Sequence, residues 1–89
     1  MLEKVKIALR VKSDAFNLEI DGLIAACLAD LRLAGVIIPD DTGDSLIERA
    51  VILYCKGNYG FIEENERFLK AYDLLKCALC LAGDYNAVE

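Results

Sequence analysis

The sequence predicts an all-α protein, a small bundle of about four helices with a long loop between the second and third. Three observations support this fold class. Apolar residues recur at helical spacing in several segments, and capping residues or glycines bound those segments. In addition, 56% of the 89 residues are apolar, above the roughly 45–50% typical of globular proteins. A chain of this length supports one core, so we expect residues 1–89 to form a single domain.

The first segment has features of both a helix and a strand. Residues 4–12 alternate apolar and basic side chains, whereas Leu2, Val5 and Leu9 share one helical face. A lone strand would leave an unpaired edge, and the only other strand-like run is Val36–Ile38. We therefore predict a helix over Leu2–Leu9, followed by an extended stretch at residues 10–12.

The second helix is predicted from Ser13 to Ala34. Ser13 and Asp14 are good N-cap residues, and Gly35 supplies a C-terminal stop. The predicted apolar face consists of Phe16, Ile20, Leu23, Ile24, Cys27, Leu31 and Ala34. Gly22 lies inside this helix, where glycine costs about 1 kcal/mol relative to alanine. It indicates either close approach of another backbone or a tolerated surface glycine.

A loop is expected over residues 36–43. Pro39 lacks a backbone donor, and the following Asp40-Asp41-Thr42-Gly43 is rich in turn formers. The apolar run Val36-Ile37-Ile38 has two interpretations. It is either tucked against the core or a segment that docks on another protein.

The third helix is predicted to begin near Asp44 or Ser45, where Ser45-Leu46-Ile47-Glu48 matches a capping box. The apolar pattern continues to Tyr54. Two glycines and an asparagine in residues 56–60 are expected to end this helix.

The last helix is predicted from about Glu63 to Ala82, before Gly83 and a short polar tail at residues 84–89. Phe68, Tyr72, Leu75 and Leu79 share its apolar face. Glu63 with Arg67, and Glu66 with Lys70, are predicted ion pairs at i,i+4.

The charges are unevenly distributed along the chain, whose formal net charge is −5. Residues 1–12 carry four Lys and Arg against one acidic residue, whereas residues 13–48 carry eight acidic residues against Arg32 alone. Phosphates repel a net acidic protein, so ordinary binding to DNA or RNA is disfavoured. A basic and an acidic region can also orient one subunit against the next.

No uncharged stretch approaches the roughly 20 apolar residues that a bilayer requires. The first residues lack the apolar core of a secretory signal. We therefore expect no membrane span and a cytoplasmic protein.

Local motifs for chemistry are sparse. The sequence has no histidine, the commonest general acid or base and the commonest nitrogen ligand of metals. It has neither a Rossmann-type nor a P-loop-type glycine motif for phosphates. We predict no catalytic residue, no cofactor and no metal, and hence a protein that is not an enzyme.

Four cysteines are present, and Cys77 and Cys80 form a CxxC. Zinc ligands at this spacing usually lie on a tight loop, whereas this pair falls within a predicted helix. Cys27 also lacks a partner cysteine two or three residues away. Cysteines at i,i+3 in a helix are also poorly placed for a disulfide. We expect all four to be small buried hydrophobic residues.

Two clusters of charged residues could bind a metal ion or a phosphate, but each is also explained by exposure to solvent. Asp40 and Asp41 lack the ligand pattern of an EF-hand loop, which favours a solvated turn. The basic residues Lys4, Lys6, Arg10 and Lys12 have no aromatic residues between them, which favours a solvated face or a contact with an acidic neighbour over a phosphate site.

Several segments together resemble the head-tail connector family of tailed bacteriophages, whose members are often labelled DNA-packaging or adaptor proteins. They are residues 2–11 (LEKVKIALRV), 20–26 (IDGLIAA), 50–60 (AVILYCKGNYG), 71–76 (AYDLLK) and 81–86 (LAGDYN). The third and the last of these carry the strongest likeness. Cys77 and Cys80 do not belong to the family pattern.

The resemblance implies an all-helical structural protein of the virion that forms a ring of about twelve copies. The ring would join the portal at the capsid vertex to a tail-completion or tail-terminator protein. It would extend the channel through which genomic DNA passes, without sequence-specific binding. Assembly would take place in the host cytoplasm, and the finished protein would lie at the head-tail junction.

We predict the contacts between subunits, or with the portal, in two places. The candidates are Ile37, Ile38, Asp40 and Asp41 in the loop, followed by Lys4 and Arg10 in the first helix.

Two rival functions remain open at this stage. One is a non-catalytic helical adaptor or regulatory domain that binds another protein without forming a ring. The other is a helix-turn-helix module built from residues 18–33 and 45–54. Its connection of about ten residues exceeds the usual turn of 3–4, and neither helix is basic.

Overall fold

A computed structural model describes residues 1–38, 44–59 and 64–81 of the chain. Within these ranges the fold consists of helices without any strand, which confirms the predicted all-α class. The helices are α1 (Leu2–Leu9), α2 (Asn17–Leu33), α3 (Ser45–Asn58) and α4 (Asn65–Leu81), with a 3-10 turn at Asp14–Phe16 before α2. The predicted features at Pro39–Gly43, Gly60, Glu63, Ala82, Gly83 and the tail lie outside the described residues.

Helix α1 has the predicted bounds and ends in a Schellman motif. The Arg10 N–H donates to the Ile7 carbonyl at 3.1 Å, and the Val11 N–H donates to the Lys6 carbonyl at 2.9 Å. Arg10 therefore adopts the left-handed conformation, with φ 60° and ψ 35°. The prediction of an extended chain was wrong at Arg10, because closing these bonds satisfies carbonyls that the helix end leaves open.

Helix α2 begins later than predicted. Ser13 does act as a cap, since its hydroxyl accepts a hydrogen bond of 3.0 Å from the Ala15 N–H. The residues that follow form the 3-10 turn, and the α-helix starts at Asn17. At the other end Gly35 has φ +94° and closes a second Schellman motif, which confirms the predicted stop.

Helix α3 begins at Ser45, as predicted, but a different residue caps it. Its N-cap is Asp44, whose carboxylate accepts from the N–H groups of Leu46 and Ile47 at 3.1 and 3.0 Å. Ser45 is therefore not the cap of a capping box. The helix ends at Asn58, within the predicted segment 56–60, although Gly57 itself is helical.

Gly57 belongs to the helix because α4 packs closely against it. An added Cβ at Gly57 would lie 2.5 Å from Leu69 Cδ2 and 3.3 Å from the Leu69 backbone nitrogen. Glycine is required here for the approach of two helices and not for a turn.

The hydrophobic core lies around α3, which packs against α1, α2 and α4. Its buried apolar residues are Val5, Ile20, Ile24, Cys27, Leu31, Val36, Ile47, Ala50, Val51, Leu53, Cys55, Tyr72 and Leu79. Two cysteines, Cys27 and Cys55, are buried as predicted. The prediction was wrong for Cys77, which is exposed, and Cys80 is half-buried. Cys77 lies on the side of α4 opposite its buried face.

Candidate interaction surfaces

Helix α2 is apolar on two opposite sides. Leu18, Gly22, Ala25, Ala29 and Leu33 are exposed and form a stripe that we call the α2 outer face. At 100° per residue this stripe lies about 180° from the buried side of the helix. Leu18 is 89% exposed and Leu33 is 88% exposed. Exposed apolar surface of this kind marks contact sites for other proteins, so the α2 outer face is suited to a protein partner.

Gly22 lies in the middle of the α2 outer face. No atom of the described residues lies within 4 Å of a Cβ built on it. Within one copy it is therefore a surface glycine, the second of the two predicted interpretations. Together with Ala25 and Ala29 it leaves the centre of this face without long side chains.

Helix α4 has a comparable surface, which we call the α4 outer face. It consists of Arg67, Lys70, Leu74, Cys77, Ala78 and Leu81, all exposed. Leu74 is 74% exposed and Leu81 is 84% exposed. The face is basic toward the start of the helix and apolar toward its end.

The two basic residues of the α4 outer face form weak ion pairs on their own helix. Arg67 lies 3.6 Å from Glu64, and Lys70 lies 3.7 Å from Glu66. The pair Glu66–Lys70 was predicted, whereas the predicted partner of Arg67, Glu63, lies outside the described residues. Exposed pairs of this kind contribute about 0–1 kcal/mol, so both cations remain available to a partner.

A polar cluster fixes α4 relative to α2. The Tyr72 hydroxyl donates to the Asp30 carboxylate at 2.6 Å, and Lys76 Nζ donates to the same oxygen at 3.1 Å. One turn further along, the Cys80 thiol donates to the Ala34 carbonyl at 3.3 Å. Residue numbers rise together in these contacts, so α2 and α4 run in the same direction and residues 46 apart lie at one level.

Ionisation in this cluster follows from its contacts. The hydrogen bond from Tyr72, with a further one from Lys76, lowers the pKa of the Asp30 carboxyl. Burial raises the pKa of the Tyr72 hydroxyl, and the Asp30 carboxylate raises it further. Burial raises the pKa of the Cys27 thiol to about 12 and that of Cys55 to about 11, so both stay protonated and are poor nucleophiles. The cluster therefore serves to hold two helices in register.

A basic and aromatic cleft of about 560 Å³ lies at the other end of the bundle. It is lined by Ala8, Leu9, Arg10, Lys56, Tyr59, Glu64 and Phe68. Lys56 Nζ lies 5.2 Å from the centre of the Phe68 ring, and Arg67 Cζ lies 5.3 Å from it. These are cation–π distances. The sequence near Arg10 has no aromatic residue, so only the fold brings these groups together.

Of the predicted interface residues that the structure describes, Lys4 and Arg10 lie in different surroundings. Lys4 binds both carboxylate oxygens of Glu48, at 2.9 and 3.1 Å, and its charge is thereby engaged within the chain. Arg10 lies at the opposite end of α1, on the cleft. Ile37 is about half-exposed, and Ile38 packs against the core. Asp40 and Asp41 lie outside the described residues.

The two outer faces were not among the predicted candidates. The signal was present in the spacing of the apolar residues in α2, which fits a second face as well as the first. In the described part of the chain, no three His, Cys, Asp or Glu side chains are grouped to hold a metal ion. None of the helices described is long and apolar enough to cross a membrane.

A family model described as phage connector protein matches residues 1–86, which confirms the resemblance seen in the sequence. No curated protein and no solved structure matches the chain.

Proposed function

The chain belongs to the phage connector protein family, and we propose that its copies form a ring that joins the portal at the capsid vertex to the tail. The family is one of structural proteins of the virion. In this proposal the chain is not an enzyme. Its portal-side neighbour is the portal, and its tail-side neighbour is a tail-completion or tail-terminator protein.

The observation that carries the proposal is the family match over residues 1–86. A second observation supports self-association. Leu18, Leu33, Leu74 and Leu81 are each at least 74% exposed, in a chain with a small core. Burying one leucine contributes roughly 1.5–3 kcal/mol, so covering these residues in an assembly would stabilise it.

The ring would surround the DNA channel. Genomic DNA would pass through it without sequence-specific contacts, and the net charge of −5 suits this role, because strong attraction of phosphates to the wall would slow transit. The cleft around Arg10 and Lys56, and the half-exposed Ile37, are the surfaces that we assign to the portal or the tail protein. Assembly takes place in the host cytoplasm, and the protein then remains in the virion.

The test is the oligomeric state of the purified chain, alone and mixed with its portal. We expect native mass spectrometry and electron microscopy to show closed rings, with a fixed number of copies bound to each portal. A chain that stays monomeric at high concentration, both alone and with portal, would rule out the ring. Light scattering that gives only a monomer or dimer would instead favour a non-catalytic adaptor that binds another protein.

A further inference from the structure

We infer that the α2 outer face of one copy packs against the α4 outer face of the next copy, with the two helices parallel and at the same level. This inference rests on the proposed ring and adds the surfaces through which its subunits meet. Neither face is covered by any described residue of its own chain.

The shapes of the two faces match. The centre of the α2 outer face carries only Gly22, Ala25 and Ala29, so another helix can approach it closely. The α4 outer face presents Leu74 and Leu81 one above the other, seven residues apart. Leu74 would cover the alanines of α2, and Leu81 would meet Leu33.

The charges match in the same arrangement. Glu19 and Asp21 are exposed beside the α2 outer face, near the start of the helix, and form no ion pair with any other described residue. Arg67 and Lys70 occupy the corresponding part of the α4 outer face. Residues 46 apart lie at one level within a copy. In a ring whose axis is parallel to these helices, rotation moves a neighbouring copy around the axis without shifting it along the axis. Residues 46 apart then lie at one level between copies too, which sets Asp21 of one copy opposite Arg67 of the next.

Only the parallel arrangement satisfies both conditions. It joins the acidic end of α2 to the basic end of α4, and the apolar end of α2 to the apolar end of α4. An antiparallel arrangement would set Glu19 and Asp21 against Leu74 and Leu81. Because the two faces differ, each copy uses one face for each neighbour, and a rotation that closes produces a ring and not a two-fold dimer.

Disulfide cross-linking tests the pairing of faces. Ala29 and Leu74 lie at one level and point outward from their helices, so we combine Ala29→Cys and Leu74→Cys with Cys77→Ser, which removes the native exposed thiol. Mild oxidation at the concentration where rings form should produce a ladder of linked dimers, trimers and larger species. The matched controls carry Cys77→Ser with only one of the two new cysteines and should give no ladder.

Charge reversal is a second, independent measurement. Asp21→Lys and Arg67→Glu should each weaken self-association about tenfold, and the double variant should restore it, because the opposite charges are again paired between copies. Glu3→Lys is the control and should leave assembly unchanged. It makes the same change of charge as Asp21→Lys, at an exposed position of α1. Circular dichroism checks that each variant folds.

The outcomes separate this inference from the proposed function. Rings of the native chain that give neither the ladder nor the rescue would overturn the pairing of α2 with α4 and leave the ring intact. Strong dimers from Ala29→Cys alone would show that two copies of α2 meet each other, which also overturns it. A native chain that never assembles, with or without portal, would reject both.

Discussion

The Tyr72 hydroxyl lies 2.6 Å from the Asp30 carboxylate and connects α4 to α2, two helices that otherwise meet mainly through α3. Lys76 donates to the same oxygen, and the Tyr72 ring packs edge-on against Tyr54, with ring centres 5.2 Å apart. This cluster fixes the relative level of α2 and α4. The positions of the two outer faces therefore depend on it.

Removing the Tyr72 hydroxyl should destabilise the fold while leaving its packing intact. We expect Tyr72→Phe to lower the free energy of unfolding by roughly 1–2 kcal/mol, since a hydrogen bond to a charged group contributes about 1.5–3 kcal/mol and Asp30 stays partly solvated. Urea denaturation measures the change. Tyr54→Phe is the control, because the Tyr54 hydroxyl has no hydrogen bond among the described residues, and an equal loss there would contradict the assignment.

Stability should also depend on pH through Asp30. The hydrogen bond from Tyr72 lowers the pKa of this carboxyl in the folded protein. A lowered folded pKa contributes stability above the unfolded value, near 3.9, and that contribution is lost as the pH falls through the folded value. Thermal melts between pH 7 and pH 2 should therefore show a steeper acid loss for the native chain than for Asp30→Asn.

Asp73 provides the control for this pH dependence. It lies 3.9 Å from the same Lys76 and is largely exposed. Asp73→Asn should keep most of the acid loss that the native chain shows. If Asp30→Asn retained the full acid loss, carboxyl groups elsewhere would be responsible for it.

Substitution by alanine of two glycines inside helices should change the free energy of unfolding in opposite directions. Gly57→Ala would insert a Cβ 2.5 Å from Leu69 Cδ2. Such overpacking typically costs about 1–3 kcal/mol, and the gain in helix propensity of about 1 kcal/mol offsets part of this cost. Gly22→Ala meets no atom within 4 Å and should stabilise monomeric protein by about 1 kcal/mol through helix propensity. Chemical denaturation at a concentration below assembly measures both. Stabilisation by Gly57→Ala would show that α4 does not pack on α3 as described.

The cysteines should differ in reactivity. Cys77 is exposed, whereas Cys27 and Cys55 are buried and protonated, with pKa values of about 12 and 11. A thiol reagent such as DTNB should therefore react quickly with Cys77 in the folded protein. It should react with Cys27 and Cys55 only when the protein unfolds. Cys77→Ser should remove the fast phase. If the fast phase survived this substitution, the half-buried Cys80 or a buried cysteine would have to be as accessible as Cys77, contrary to its burial.

The sequence was sufficient to predict elements whose signals are local. Helix α1 has its predicted bounds, because Leu2, Val5 and Leu9 share one helical face and a lone strand would have lacked a partner. Gly35 ends α2 because only its own backbone must adopt a positive φ. Gly57 was predicted to favour a turn but is helical, because a contact distant in sequence decides its role. Its local signal favours a turn, but the deciding contact is with Leu69, which is distant in sequence.

Candidate surfaces were harder to predict. The link between Asp30 and Tyr72 joins residues 42 positions apart, and no local pattern indicates it. The cleft likewise combines Arg10 with Phe68. In α2 the spacing of the apolar residues fits two faces, but one buried face is enough to predict a helix. Only the exposure of each side chain shows that the second face is in contact with solvent.

Arg10 allows a final prediction, because its backbone and its side chain have separable roles. An L-residue in the left-handed conformation is strained, and glycine is preferred at this position of a Schellman motif. The left-handed conformation costs an L-residue roughly 1–2 kcal/mol, so Arg10→Gly should stabilise the fold by up to about this amount. Arg10→Ala keeps the strain and should change stability little. Both remove the guanidinium from the cleft, so binding of the portal or tail protein should weaken equally in the two variants. Denaturation and pull-down assays on the pair separate the roles, and portal and tail binding that survives both substitutions would remove Arg10 from the interface.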